Sequence, residues 1–125
     1  MKAKYLIPAF LFVSFLFIET GCKQVIDDVI DCSLESTLLS IDAQIDTSNT
    51  KLVHFEFIND NTTGDFTLDQ QIDWNFGDGK TATSTNNKVE HTYTYATDFK
   101  VTANYTLHKG SSSCTGQKEK TVTIK

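Results

Sequence analysis

The chain has 125 residues, with 11 lysines, no arginine and 16 acidic residues, and carries a net charge of −5. That length leaves room for one ordinary domain. Nucleic-acid binders carry a basic footprint and use arginine for bidentate contacts to phosphate and guanine, so this composition excludes nucleic acid as a partner and leaves a solvated acidic surface.

Lys2 and Lys4 precede an almost unbroken apolar run from Tyr5 to Ile18, which holds Pro8 and Ser14. The run is shorter than the roughly 20 apolar residues of a membrane span and has the form of a signal-peptide h-region. Thr20-Gly21-Cys22 follows at once. This resembles the lipobox of bacterial lipoproteins, in which the cysteine is acylated and becomes the new N-terminus. Glu19 stands where that family usually has an aliphatic residue. Looser forms of the motif are common in the Bacteroidetes, and an arginine-free chain rich in Asn, Thr and Lys suits such a source. The resemblance implies removal of residues 1–21, lipidation of Cys22 and anchoring to a bacterial outer membrane, with the surface or periplasmic side left open. The alternative is ordinary cleavage nearby, which leaves Cys22 as a free thiol, a liability in an oxidising compartment.

Cleavage after residue 21 leaves nine lysines against fifteen acids, a net charge of −6. It also leaves Cys32 and Cys114, and an even pair in an exported protein reads first as a disulfide. Residues 22–37 read as a short tether made acidic by Asp27, Asp28 and Asp31. Asp27-Asp28 resembles the acidic export signal of surface-exposed Bacteroidetes lipoproteins, and a plain solvated linker fits equally well. Val25, Ile26, Val29 and Ile30 have the spacing of a helical turn.

From Leu38 the apolar period becomes two. Leu39, Ile41, Ala43 and Ile45 predict a half-buried strand, and the turn residues Asp46 to Thr50 lead to a second alternating set, Val53, Phe55 and Phe57. Asn59 to Gln70 reads as a long polar loop. Ile72, Trp74 and Phe76 alternate again, and Gly77-Asp78-Gly79 ends that strand in a turn able to take positive φ. Thr81 to Thr85 predicts an edge strand, and Val89 to Tyr95 another extended piece. Phe99, Val101, Ala103, Tyr105 and Leu107 form the inner face of a long strand, a Gly/Ser-rich loop follows, and Thr121 to Lys125 returns. Seven short strands at this spacing predict an all-β, Ig-like antiparallel β-sandwich over residues 38–125.

Trp74-Asn75-Phe76-Gly77-Asp78-Gly79 resembles the WDFGDG signature of PKD (polycystic kidney disease-type) domains. His91-Thr92-Tyr93 is similar to that family's HTY segment, Phe99-Lys100-Val101 to its Tyr-x-Val, and Thr121-Val122-Thr123-Ile124 to its last strand. These motifs in order make the resemblance specific, and it covers nearly all of the mature chain. Trp74 and Phe76, two apart, point into the core while Asn75 points away, and Asp78 is placed to accept a backbone amide two residues on. His91 is expected as a packed residue whose ring nitrogens bond backbone. In an Ig-like sandwich the approach to the first strand and the loop between the last two lie at one end, which makes Cys32 and Cys114 neighbours.

The sequence holds no nucleophile elbow, phosphate loop or paired metal-ligand motif. His54 and His108 fall on polar phases of their strands, so solvent-facing residues are expected. Asp73, Asp78 and Glu90 near His91 do not make an acid/base site without a cleft and desolvated carboxylates. The oxygen-rich run from Asn59 to Asp65, with Asp69 beyond, offers Asp60, Asp65 and Asp69 as calcium candidates. Its register departs from a calcium loop, with Asn first and Gln70 where Glu would stand, so a simple polar loop is the expectation. No cofactor is expected otherwise. The PKD resemblance implies a non-catalytic, membrane-tethered module that binds an envelope protein or a surface glycan. Its alternative is a structural spacer or subunit of an envelope complex without a ligand of its own. Tyr95 is the one clear aromatic off the core phase.

Overall fold

The alternation of apolar and polar residues is realised as β-structure in the computed structural model of the chain, which describes residues 32–60 and 65–125. The signal segment, Cys22, residues 23–31 with their expected helical turn and acidic pair, and residues 61–64 of the polar loop lie outside the described residues.

The strands are β1 (Leu39–Ile45), β2 (Leu52–Asn59), β3 (Thr67–Leu68), β4 (Ile72–Asn75), β5 (Thr81–Ser84), β6 (Lys88–Thr92), β7 (Asp98–Lys109) and β8 (Ser112–Thr123). They form two antiparallel sheets. One has the order β1-β2-β6. In the other, β7 is central: β8 pairs along its whole length on one side, and β4 and β3 share the other side, with β5 beyond β4. This is the Ig-like sandwich that the alternation predicts.

Three boundaries differ from the sequence reading. The polar loop contains β3, because Phe66 and Leu68, two apart, pack against the core and bring Thr67-Leu68 into register with His108 and Leu107. The last strand begins at Ser112, not Thr121, and Gly110 takes φ 58° in the tight turn before it. Small polar residues at 112–117 carry no periodic signal, yet the long β7 recruits them by backbone pairing from Lys109↔Ser112 to Asp98↔Thr123. The sixth strand stops at Thr92, which leaves Tyr95 in the following turn and 72% exposed.

The core lies between the sheets. Val53, Phe55 and Phe57 of β2 face Ile72 and Trp74 of β4 and Val101, Ala103 and Leu107 of β7, all at most 2% exposed. Phe55 joins the layers, its ring 5.9 Å from Trp74 and 5.8 Å from Phe76 in tilted contacts. Each such aromatic pair adds about 0.5–1.5 kcal/mol beyond area burial, which matters in a domain small enough to have a thin core.

Residues 32–36, placed in the tether by sequence, form a short helical turn. Cys32 in this turn is bonded to Cys114, with Cα atoms 6.5 Å apart and a sequence separation of 82. The two are neighbours as sandwich topology predicts, although Cys114 stands on β8 rather than in a loop. The entrance of β1 is tied to the end of β2 by Asp60 N–H donating to Leu38 O at 3.0 Å. The turns at 46–51, 76–80 and 93–97 gather at the opposite end together with the C-terminus, where Ile124 N–H donates to Thr97 O.

Candidate functional site

The signature motifs meet at that far end. Gly77 and Gly79 adopt φ 81° and 87°, and Phe76 N–H donates to Lys80 O to close the turn. A Cβ on Gly77 would stand 2.6 Å from Lys100 O, so the turn presses directly onto the β7 backbone. Asn75 Oδ1 accepts from Gly77 N–H at 2.9 Å and Asp78 Oδ1 from Lys80 N–H at 3.1 Å, the Asx bonding expected of such a turn.

Asp78 and His91 form the centre of this corner. His91 Nε2 lies 2.8 Å from Asp78 Oδ2, and both side chains are only about a tenth exposed. The ring nitrogen thus bonds a carboxylate and not backbone, which corrects the sequence expectation: β6 and the turn after β4 are brought together only by the closing of the two sheets. His91 is stacked on Phe76 at 4.0 Å and meets Tyr93 edge-on at 4.6 Å. Tyr93 Oη donates to Phe76 O at 3.0 Å, and its ring stacks on Phe99 at 4.2 Å. Burial pushes the Asp78 carboxyl up, but the His91 hydrogen bond, the Lys80 amide and the His91 charge outweigh it and hold the group below its usual range. Burial, and then the Asp78 charge, raise the Tyr93 phenol. With its imidazole face covered and its Nε2 engaged, His91 acts as a fastener between sheets.

The other histidines stand on open strand faces, as their phase predicts. His54 Nδ1 is 2.9 Å from Glu90 Oε1 and its Nε2 3.4 Å from Asp46 Oδ2. The two carboxylates therefore engage opposite ring nitrogens, a bridging arrangement and not a chelating one. Asp46 is held below the usual carboxylate range chiefly by the Ser48 hydroxyl, then by the Asn49 and Ser48 amides and by His54. His108 Nε2 lies 3.5 Å from Asp69, and Lys109 Nζ 3.4 Å from Asp65.

These last pairs bear on the calcium candidates. Asp65 and Asp69 are turned toward Lys109 and His108 on β7, and Asp60 makes its described bond through its backbone amide. Among the described residues no three His, Cys, Asp or Glu side chains gather as metal ligands.

Two features escape sequence reasoning. Ser84, at the end of the Thr-rich edge strand, is 7% exposed and accepts the Trp74 Nε1–H at 2.9 Å. The signal was the period of two, which places Ala82 and Ser84 inward, together with the need of a buried indole for an acceptor. The second is a polar row across the outer face of the larger sheet. Thr83, Asp73, Asn104 and Gln117 stand in register on four adjacent strands. Asp73, Asn104 and Gln117 border an open groove of about 610 Å³, lined also by Asp69, Gln71 and Thr106. A second groove of about 490 Å³ lies beside the disulfide, between Phe66, Tyr105 and the turn at Cys32.

No match to a curated protein was found. A family model described as PKD domain matches residues 39–124, which run from the first residue of β1 to the last core residue after β8. PKD domains are Ig-like modules and generally non-catalytic, in keeping with signature residues that here build a corner of the fold. The chain belongs to the PKD domain family.

Proposed function

We propose that the chain is a non-catalytic PKD module, held to the bacterial outer membrane through an acylated Cys22, that binds a protein or glycan of the cell envelope. The observation that carries this reading is the bond between Cys32 and Cys114. An anchor ten residues upstream of Cys32 would act on one end of the sandwich, and the turns at 46–51, 76–80 and 93–97 would point away from the membrane. The acidic mature surface would keep such a domain off an anionic bilayer. Among the described residues no helix is long and apolar enough to cross a membrane.

The non-catalytic part of the proposal is supported by how the titratable groups are used. Asp78 and His91 fasten the sheets, while His54 and His108 lie on open faces with surface carboxylates. Affinity capture from native envelopes with the full anchored chain tests the binding claim. An enriched envelope protein or glycan is the expected result. Absence of any enriched partner would transfer the role to a spacer or subunit of an envelope complex.

A further inference from the structure

We infer that the outer face of the sheet formed by β5, β4, β7 and β8 is a binding surface for a neutral polysaccharide. The inference rests on the proposed role as a binding module and names both the face and the ligand class. Its basis is the row Thr83–Asp73–Asn104–Gln117, which crosses all four strands at one level. Thr83 Oγ1 donates to Asp73 Oδ1 at 2.7 Å, Gln71 Nε2 reaches the same oxygen at 3.3 Å, and Gln117 Nε2 donates to Asn104 Oδ1 at 3.0 Å. These bonds hold the amides and the carboxylate in place. Asp73 Oδ2, Asn104 Nδ2 and Gln117 Oε1 take no part in these bonds, and all three residues line the open groove, one amide donor and two acceptors among them.

The chemistry of that groove selects among ligands. Sugar hydroxyls donate and accept at once, so they match alternating amides, hydroxyls and carboxylates. No lysine lines the groove, while Asp69 and Asp73 do, which makes it repellent to anionic polymers. The face carries the polar phase of every strand: the next level is Thr81, Asn75, Thr102 and Glu119, and below the row stand Thr106 and Thr115. A peptide or acyl chain bound across a sheet face buries apolar groups in pockets, and this row offers it none. Strands about 4.8 Å apart repeat the same polar chemistry at short intervals, as a chain of similar sugar units requires. The open groove over Asp69–Gln71 occurs where β3 ends and β4 has not begun, so the surface is notched at the β7 edge.

Retention of the full chain, solubilised in detergent, on insoluble cellulose, chitin, starch and mannan tests the inference, with alginate as the anionic comparison. Retention on at least one neutral polymer is expected, weakened about tenfold by Asn104→Ala and by Gln117→Ala, on the scale of one or two lost hydrogen bonds. Gln44→Ala, on the outer face of the other sheet, should leave it unchanged. Both sheet-face residues are exposed, so unaltered Tm values would confirm that the variants are folded. Retention that survives Asn104→Ala and Gln117→Ala, or that is seen only on alginate, overturns the assignment of this face and leaves a binding role standing. No retention on any neutral polymer, with an envelope protein captured in the separate experiment, also overturns it and again spares the binding role. No retention and no captured partner removes both.

Discussion

His91 lies flat on Phe76, ring centroids 4.0 Å apart and planes 2° from parallel, while its Nε2 meets the Asp78 carboxylate at 2.8 Å. Phe76 and Asp78 follow β4 in one sheet, and His91 belongs to β6 in the other. A stacked ring and a charge-assisted hydrogen bond therefore close the sandwich at the end away from the disulfide. Asp78→Ala should cost about 3 kcal/mol, the low end for breaking a largely desolvated pair, read from urea denaturation followed by Trp74 fluorescence.

The same pair sets a pH dependence. The folded Asp78 carboxyl titrates below its ordinary value of 3.8, so the unfolded chain binds the proton more readily. The stabilisation is complete above that ordinary value and is lost as pH falls through the lower folded one. Asp46, also depressed, adds to the same acid limb. Asp78→Asn should make the loss of stability below about pH 4 shallower; an acid limb identical to wild type would show that the pairing contributes nothing.

Ser84 is the acceptor of the buried Trp74 indole. Ser84→Ala would strand that N–H in the core, at a cost of about 1–3 kcal/mol. Ser84→Thr keeps the hydroxyl and should recover part of the loss. Equal destabilisation by both variants in thermal melts would point to packing alone.

Gly77 and Gly79 share positive φ but not surroundings. A Cβ at 77 meets Lys100 O at 2.6 Å, whereas nothing lies within 4 Å of one at 79. Gly79→Ala should cost about 1 kcal/mol from backbone strain. Gly77→Ala adds a clash with backbone and should cost at least twice as much or abolish folding. Comparable midpoints in chemical denaturation would contradict the close approach.

Lys118 and Lys120 on the edge strand β8 stand opposite Ala103 and Val101, both fully buried, and so occupy the core-facing phase. Inward-pointing charges on an edge strand oppose pairing with another chain. The double substitution Lys118→Val, Lys120→Val should increase self-association over wild type, measurable by light scattering. A variant whose scattering matches wild type at high concentration would remove this role from the lysines.

Much of the fold is written in local pattern. Trp74 and Phe76 announce their inward phase two residues apart, and Gly77-Asp78-Gly79 announces the turn. What depends on distant partners is not. The Asp78–His91 bond joins residues 13 apart on different sheets, and sequence reasoning gave His91 a backbone partner instead. Ser112 to Gln117 become a strand only because β7 is long enough to pair with them. The row Asp73–Asn104–Gln117 required the register of three strands before its members could be placed side by side.

The central claim, a PKD domain anchored by lipid and closed by one disulfide, is tested most directly by the intact mass of the mature protein extracted from membranes. The account predicts an N-terminus at an acylated Cys22 and a mass that rises by two hydrogens on reduction of Cys32–Cys114. An unmodified N-terminus would contradict the anchor, and two free thiols would contradict the bridge.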